Sequence, residues 1–253
     1  MTHMIIQGQQ RHVGGWKPAA MRMRGWKPPG IDVNALPMAH VIDGIPLDYD
    51  QGQTSSCGPN ALAEMYEHDF TRDGQRAQFS RLFVYFFVRC REGDLLEDDG
   101  VTIPDLISVA STMGMPLERS WPLESKLLIV PPTPQVLGEA QMHRVQRADL
   151  VVDLDHLLAE IAADQPVLLG FGVPQSMASD ETARTGVVNV PSATDPLVGG
   201  HAVLAHGFDR ANRLVKCTCH YGTGFGDSGA IHLPFDHWSR GNVSDMTAIR
   251  SIS

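Results

Sequence analysis

The sequence predicts an α+β protein in which a mainly helical half precedes a mainly antiparallel β half. Apolar residues recur every three or four positions between residues 57 and 112, which is the period of amphipathic helices. Beyond residue 165 the pattern changes to short apolar runs divided by Gly, Asp and Asn, which is typical of strands. Helices followed by strands, rather than alternating with them, indicate two packed lobes and no parallel sheet.

Length and composition set the broad class. The chain has 253 residues, of which 43% are hydrophobic and 19% charged, enough for the core of one domain or of two closely packed lobes. No apolar run approaches the roughly 20 residues that a membrane span needs. The net charge is -9, which argues against nucleic-acid binding, because phosphate groups need a concentrated basic surface. We therefore expect neither a membrane nor nucleic acid as a partner.

The amino terminus and the cysteines predict a cytoplasmic protein. "MTHMIIQGQQ" lacks the long apolar core of a secretory signal, although export by a non-standard route stays open. Four cysteines are too few for a disulfide scaffold, which favours a reducing compartment; they are Cys57, Cys90, Cys217 and Cys219.

Residues 1–46 are predicted to form an amino-terminal arm. They are rich in Gly, Pro and Met, and "GWKP" occurs twice, at 15–18 and 25–28. Such a segment cannot build its own core, so we expect it to lie along the rest of the chain. Two tryptophans, Trp16 and Trp26, are its isolated apolar anchors.

Three helices are predicted from apolar spacing and caps. The first begins at Cys57 after a Ser56 cap and runs for about four turns. In "VTIPDLISVASTMG" Thr102 and Asp105 form a capping box, and residues 153–164 give a further helix. "SRLFVYFFVRC" (80–90) is apolar on every side, which fits a buried helix or a core strand equally.

The strands of the second half are predicted from five runs: "PVLLGFGV", "HAVLAHGF", "RLVKCTC", "GAIHLPF" and "DMTAIRS". Prolines between residues 121 and 149 indicate a loop that crosses between the halves. We predict a mainly helical lobe over residues 47–150 and a mainly antiparallel β lobe over 151–253, together forming one domain.

Cys57 is the strongest candidate for chemistry. It opens a helix in "DQGQTSSCGPNALAEM", where the helix dipole favours an anion and lowers the pKa of a thiol. Gln51, six residues earlier, can aim an amide donor at an oxyanion, and His201 follows far downstream in "GGHAVLAHGFD". The alternative is a structural cysteine, because free cysteines are among the most buried residue types.

From about Gly25 to Ile252 the chain resembles the papain family of cysteine peptidases, in the compact form seen in bacteria. Four stretches carry the resemblance in order: "DQGQTSSC"; "SRLFVYFFVRCREGD" with "DDGVTIPDLISVASTMGMPLERSWP"; "GGHAVLAHGFD"; and "YGTGFGDSGAIHLPF". The resemblance implies a two-lobed papain-like fold, with a helical lobe carrying the Cys and an antiparallel β-barrel lobe carrying the His. It also implies a cleft between the lobes that enzymes of this type usually keep covered, so we predict that part of the arm lies over or beside this cleft. The alternative is that one "GWKP" packs on the back of a lobe.

The same resemblance implies an endopeptidase and its site residues. Cys57 would be the nucleophile, His201 its base and ion-pair partner, and Gln51 with the Cys57 amide the oxyanion hole. The backbones of Gly100 and Gly200 are weaker candidates for substrate binding. The expected partner is a peptide or protein substrate, with an inhibitor protein as a further candidate, and neither a metal nor a cofactor is expected.

One departure from the family concerns the residue that holds the histidine ring. The family has an Asn there, whereas "CHYG" places Cys219 at that position, and a thiol is a poor acceptor for an imidazole N–H. Two alternatives therefore stay open: a catalytically weakened papain-fold binding protein, and a bacteriocin-processing cysteine peptidase that cleaves after double glycine.

Overall fold

The computed structural model describes residues 3–19, 31–72 and 77–253. The helices are α1 (Cys57–Arg72), α2 (Arg81–Glu92), α3 (Ile103–Thr112), α4 (Pro134–Ala140), α5 (Leu154–Ala162), α6 (Asp180–Thr185) and α7 (Asp236–Ser239). The strands are β1 (His3–Ile6), β2 (Gln9–His12), β3 (Ala39–Val41), β4 (Val145–Leu150), β5 (Val167–Pro174), β6 (Leu197–Asp209), β7 (Leu214–Thr218), β8 (Ala230–Pro234) and β9 (Val243–Ile252). Within these ranges no helix combines the length and apolar character needed to cross a bilayer.

The predicted helices form where their caps place them. The Thr102 side chain accepts from the Asp105 N–H at the start of α3, which confirms the predicted Thr102 cap. The ambiguous run 80–90 is helical, because Ser80 caps the start of α2 and Gly93 ends it in a left-handed conformation with φ of 80°. The proline-rich crossing segment, predicted as a loop, contains the short helix α4, which Thr133 caps.

All five predicted strands form, as β5 to β9, and they belong to one antiparallel sheet. The sheet has seven strands in the order β4-β9-β5-β6-β7-β8, and β3 pairs with β6. The predicted barrel is wrong: the outermost strands, β4 and β8, do not pair with each other, so the sheet stays open. The sheet has no need to close, because α5 and other segments cover its second apolar face.

Two apolar cores lie against the sheet. The first joins α1, α2 and α3 to the face that carries Leu168, Ala202 and Leu204. The second contains Val203 and Ala205 from the opposite face together with α5. Because neighbouring residues of a strand point to opposite faces, β6 contributes to both cores: Ala202 faces the helical half, whereas the His201 ring lies on the opposite face, next to Phe171.

Candidate active site

Cys57 is the first residue of α1 and is completely buried. Its Sγ accepts a hydrogen bond of 3.3 Å from the backbone N–H of Ala202 on β6. Burial raises the pKa of the Cys57 thiol to about 12, against the opposing effect of the backbone amides of Ala202, Gly58 and Cys57 itself. Those amides can stabilise a thiolate as soon as water reaches the site.

His201 precedes Ala202 on β6, and its ring is held by a main-chain group. Its Nε2 donates to the carbonyl oxygen of Cys219 over 2.9 Å, and because a carbonyl can only accept, Nε2 carries the proton of the neutral ring. Within the described ranges Nδ1 has no hydrogen-bond partner, so it is the ring nitrogen that can accept a proton. Burial, and to a smaller extent His220, lowers the pKa of His201 to about 3, while the bond to the Cys219 carbonyl raises it.

Gln51 is buried in the loop before α1. Its side-chain nitrogen donates to the Thr54 carbonyl over 2.8 Å, which uses one of the two amide hydrogens and leaves the second available to another acceptor. Its backbone N–H donates to the His220 carbonyl over 3.0 Å. The predicted oxyanion loop is therefore tied to the segment that holds the His201 ring.

Cys219 meets His201 through its backbone. Its buried side chain belongs to the apolar core behind the sheet, with Tyr221 and Phe225, and no hydrogen bond of its Sγ is found in the described part of the chain. The Tyr221 ring covers His201, with a distance of 5.2 Å between ring centroids. This carbonyl acceptor could not be predicted from the sequence, because every residue carries a carbonyl whatever its side chain.

Residues of the predicted arm lie directly on the Cys57 thiol. A Cβ added to Gly15 would stand 2.6 Å from Cys57 Sγ and 2.7 Å from the Ser55 carbonyl oxygen. The Gly15 carbonyl accepts from the Val101 N–H (3.0 Å), and the Trp16 N–H donates to the Gly200 carbonyl (3.3 Å). A Cβ at Gly100 would overlap Gly15, so both predicted substrate-binding glycines contact the arm.

The Trp16 side chain fills a slot beside the thiol. Gly170 forms one wall, where any side chain would overlap the indole, and the indole N–H donates to Asp245 Oδ2 over 3.2 Å. The next residue, Lys17, pairs with Glu92 at 3.1 Å and Asp94 at 2.9 Å. Trp26 and the second "GWKP" lie outside the described residues.

The β1–β2 hairpin holds the other end of the arm. Its turn, Gln7 and Gly8, has positive φ at both residues, as two-residue hairpin turns favour. Arg11 forms an ion pair with Asp50 and lies over the Tyr221 ring. His12 Nδ1 lies 2.8 Å from the Ser55 hydroxyl, which itself donates to the Asp98 carbonyl over 2.6 Å, so His12 donates to Ser55.

The cysteine and histidine cluster "CTCH" at residues 217–220 invites the question of a metal. Among the residues that the structure describes, no three His, Cys, Asp or Glu side chains lie close enough to hold an ion. Cys217 and Cys219 instead belong to the apolar core, and His220 bonds to Glu64 over 2.9 Å.

Among known proteins, two relatives each share 28% sequence identity with this chain. An uncharacterized peptidase C1-like protein of Acanthamoeba polyphaga mimivirus is 28% identical over 218 residues, which are 81% of this chain and 70% of that protein. The crystal structure of xylellain, a cysteine protease from Xylella fastidiosa, is 28% identical and superposes with a TM-score of 0.86 over 95% of this chain and 97% of its own.

More distant solved structures share the fold. Procathepsin B from Trypanosoma congolense has a TM-score of 0.72 at 12% identity, covering 94% of this chain and 85% of its own. The Carica candamarcensis cysteine protease CMS1MS2, solved with E-64, has a TM-score of 0.63 at 17% identity, covering 85% of this chain and 100% of its own. No protein-family model matches the chain. The structural likenesses confirm the predicted two-lobed papain-like fold.

Proposed function

This chain is a papain-like cysteine peptidase, and on that premise we propose that Cys57 is its nucleophile and His201 its base. Gln51 and the Cys57 amide are the proposed oxyanion donors, and a peptide or protein is the proposed substrate. The observation that carries the proposal is the Cys57 thiol at the start of α1, bonded to the N–H that follows His201.

The proposed reaction begins with transfer of the thiol proton from Cys57 to His201 Nδ1. The thiolate attacks the peptide carbonyl carbon, and the resulting oxyanion receives hydrogen bonds from the Cys57 N–H and the free Gln51 amide hydrogen. The amine leaves with the proton from His201, which gives a thioester between the substrate acyl group and Cys57. Water then attacks the thioester with His201 as base, which releases the acid and restores the thiol.

We further propose that the arm inhibits the enzyme by occupying the substrate cleft. Gly15 lies on the thiol, and its neighbours pair with the backbones of Val101 on one side and Gly200 on the other. An extended peptide substrate needs the same exposed backbone groups to bind across a cleft. The arm must therefore leave before a scissile carbonyl can approach Cys57.

Two alanine substitutions in the full chain test this proposal. Gly15→Ala introduces a Cβ that overlaps Cys57 Sγ, whereas a Cβ at Gly14 meets nothing within 4 Å. Overpacking of this kind costs about 1–3 kcal/mol, which should weaken docking of the arm and raise iodoacetamide labelling of Cys57 by about tenfold or more. Gly14→Ala should behave like the wild type, and peptidase activity should rise in parallel with labelling.

Cys57→Ser in the Gly15→Ala background serves as the chemical control and should abolish peptidase activity. Activity that survives this change would reject Cys57 as the nucleophile. Equal labelling of the Gly14→Ala and Gly15→Ala proteins would reject the arm as the inhibitory element. A large loss of melting temperature in Gly15→Ala would identify the arm as a structural strap.

A further inference from the structure

We infer that His220 is the positioning residue for His201, acting through the main-chain carbonyl of Cys219. This inference rests on the proposed function of His201. The family pattern assigns the task to an Asn side chain, whereas here the acceptor is a backbone group. A backbone carbonyl keeps its direction only if the peptide that contains it is held, and the neighbouring residue His220 provides that restraint.

The backbone at His220 is in a conformation that favours glycine. The chain leaves the sheet after Thr218, the end of β7, and crosses to the loop before α1, where Tyr221 bridges to Asp50. His220 makes this turn with φ of 62°, a left-handed value that glycine or asparagine adopts most readily. A histidine at such a position indicates that its side chain contributes something a glycine would lack.

The side chain of His220 is anchored to the helix that carries the nucleophile. Its Nε2 lies 2.9 Å from Glu64 Oε2 and 3.0 Å from the Thr218 hydroxyl, and the side chains of His220 and Glu64 are both buried. Glu64 follows Cys57 by about two turns of α1, so both residues face the sheet. Burial raises the pKa of Glu64 and lowers that of His220, which favours an uncharged, hydrogen-bonded pair.

This anchor opposes a rotation that would release His201. The Cys219 carbonyl and the His220 N–H belong to one peptide plane. Flipping that plane would return φ of His220 to negative values and relieve its strain, but it would also turn the carbonyl away from His201 Nε2. The Glu64 bond resists the flip, as does the bond from the Gln51 N–H to the His220 carbonyl. One residue thus links the base, the nucleophile helix and the oxyanion loop.

The test reads the His201 tautomer by nuclear magnetic resonance in the full chain with 15N-labelled histidines. Wild-type His201 should carry its proton on Nε2 alone. His220→Ala and Glu64→Leu remove the anchor and should give a mixture of both tautomers. Glu64→Gln keeps a hydrogen bond to His220 and should resemble the wild type. Where the protein is active, His220→Ala should lower kcat by on the order of 10²-fold or more with KM little changed.

Glu67→Leu is the matched control, since Glu67 is a buried glutamate on the same helix whose bond of 2.9 Å comes from the Tyr49 hydroxyl. It should lose stability without changing the His201 tautomer. A pure Nε2–H tautomer in His220→Ala, or an equal mixture in Glu67→Leu, would overturn the inference. If Glu64→Leu does not fold, the His201 tautomers of His220→Ala and Glu64→Gln are compared instead, and they should differ. Because no substrate is needed, missing peptidase activity would count only against the proposed function.

Discussion

At the scale of single residues, the site separates what a side chain does from what a backbone does. The residue types Cys57, His201 and Gln51 could be recognised in the sequence because each side chain has distinct chemistry. The Cys219 carbonyl that accepts from His201 could not be recognised, since every residue has a carbonyl and its direction depends on φ and ψ. The Glu64–His220 pair was missed for a related reason: its members lie far apart in the chain and meet only in the folded protein.

Substitutions of Cys219 distinguish the role of its carbonyl from that of its side chain. Cys219→Ala keeps the carbonyl bond to His201, so turnover should stay within about threefold of the parent in the Gly15→Ala background. Cys219→Asn places an amide in the apolar core, which should cost about 1–3 kcal/mol of stability without raising turnover. Kinetics and chemical denaturation of both proteins check this. A gain in turnover for Cys219→Asn would show that the side chain at position 219 can reach His201.

At the scale of elements, local signals decided which predictions succeeded. The cap at Thr102 and the apolar spacing of α1 and α5 predicted three helices, and short apolar runs predicted five strands. The hairpin was missed because its strands have only four residues each, too few to show a period. The open sheet was missed because closure depends on which segments cover its outer face, and no local pattern encodes that.

Docking of the hairpin should weaken in acid. Burial lowers the pKa of His12, against a raising effect of Asp98 and a further lowering by His3. A lowered pKa means that the docked arm binds the His12 proton less readily than the released arm, so docking loses free energy as pH falls below about 6.5. His12→Asn removes this titration and can still donate to Ser55.

The measurement is the ratio of Cys57 labelling rates in the wild type and in His12→Asn between about pH 8 and pH 5. Taking the ratio cancels the ionisation of the thiol itself, which both proteins share. The ratio should rise as pH falls. A ratio independent of pH would show that His12 does not contribute to acid release, and that other arm contacts such as Arg11 with Asp50 dominate.

At the scale of the whole molecule, the arm changes the electrostatics of the cleft as well as its access. The thiol and the imidazole are both completely buried beneath it, and burial favours their neutral forms over an ion pair. We therefore expect this one segment to control both access to the Cys57 thiol and its ionisation. The arm was predicted from its composition, and its place over the cleft from the family resemblance, but the contact of Gly15 with Cys57 depends on packing that neither specifies.

Displacing the arm should lower the pKa of Cys57. In the covered state burial raises it to about 12. Once the arm leaves, water solvates the thiolate, and the amides at the start of α1 and a protonated His201 stabilise it further. The pKa should then fall below the value of about 8.5 for a free thiol.

Thiolate ultraviolet absorbance, taken as the difference from a Cys57→Ala protein in the same background, follows the ionisation of Cys57 directly. Wild-type Cys57 should stay protonated through neutral pH, whereas Gly15→Ala should show thiolate there. The exposed Cys90 serves as the internal reference, since its ionisation should not respond to the arm. Identical titrations of Cys57 in both proteins would mean that the arm blocks access alone and leaves the protonation of the nucleophile unchanged.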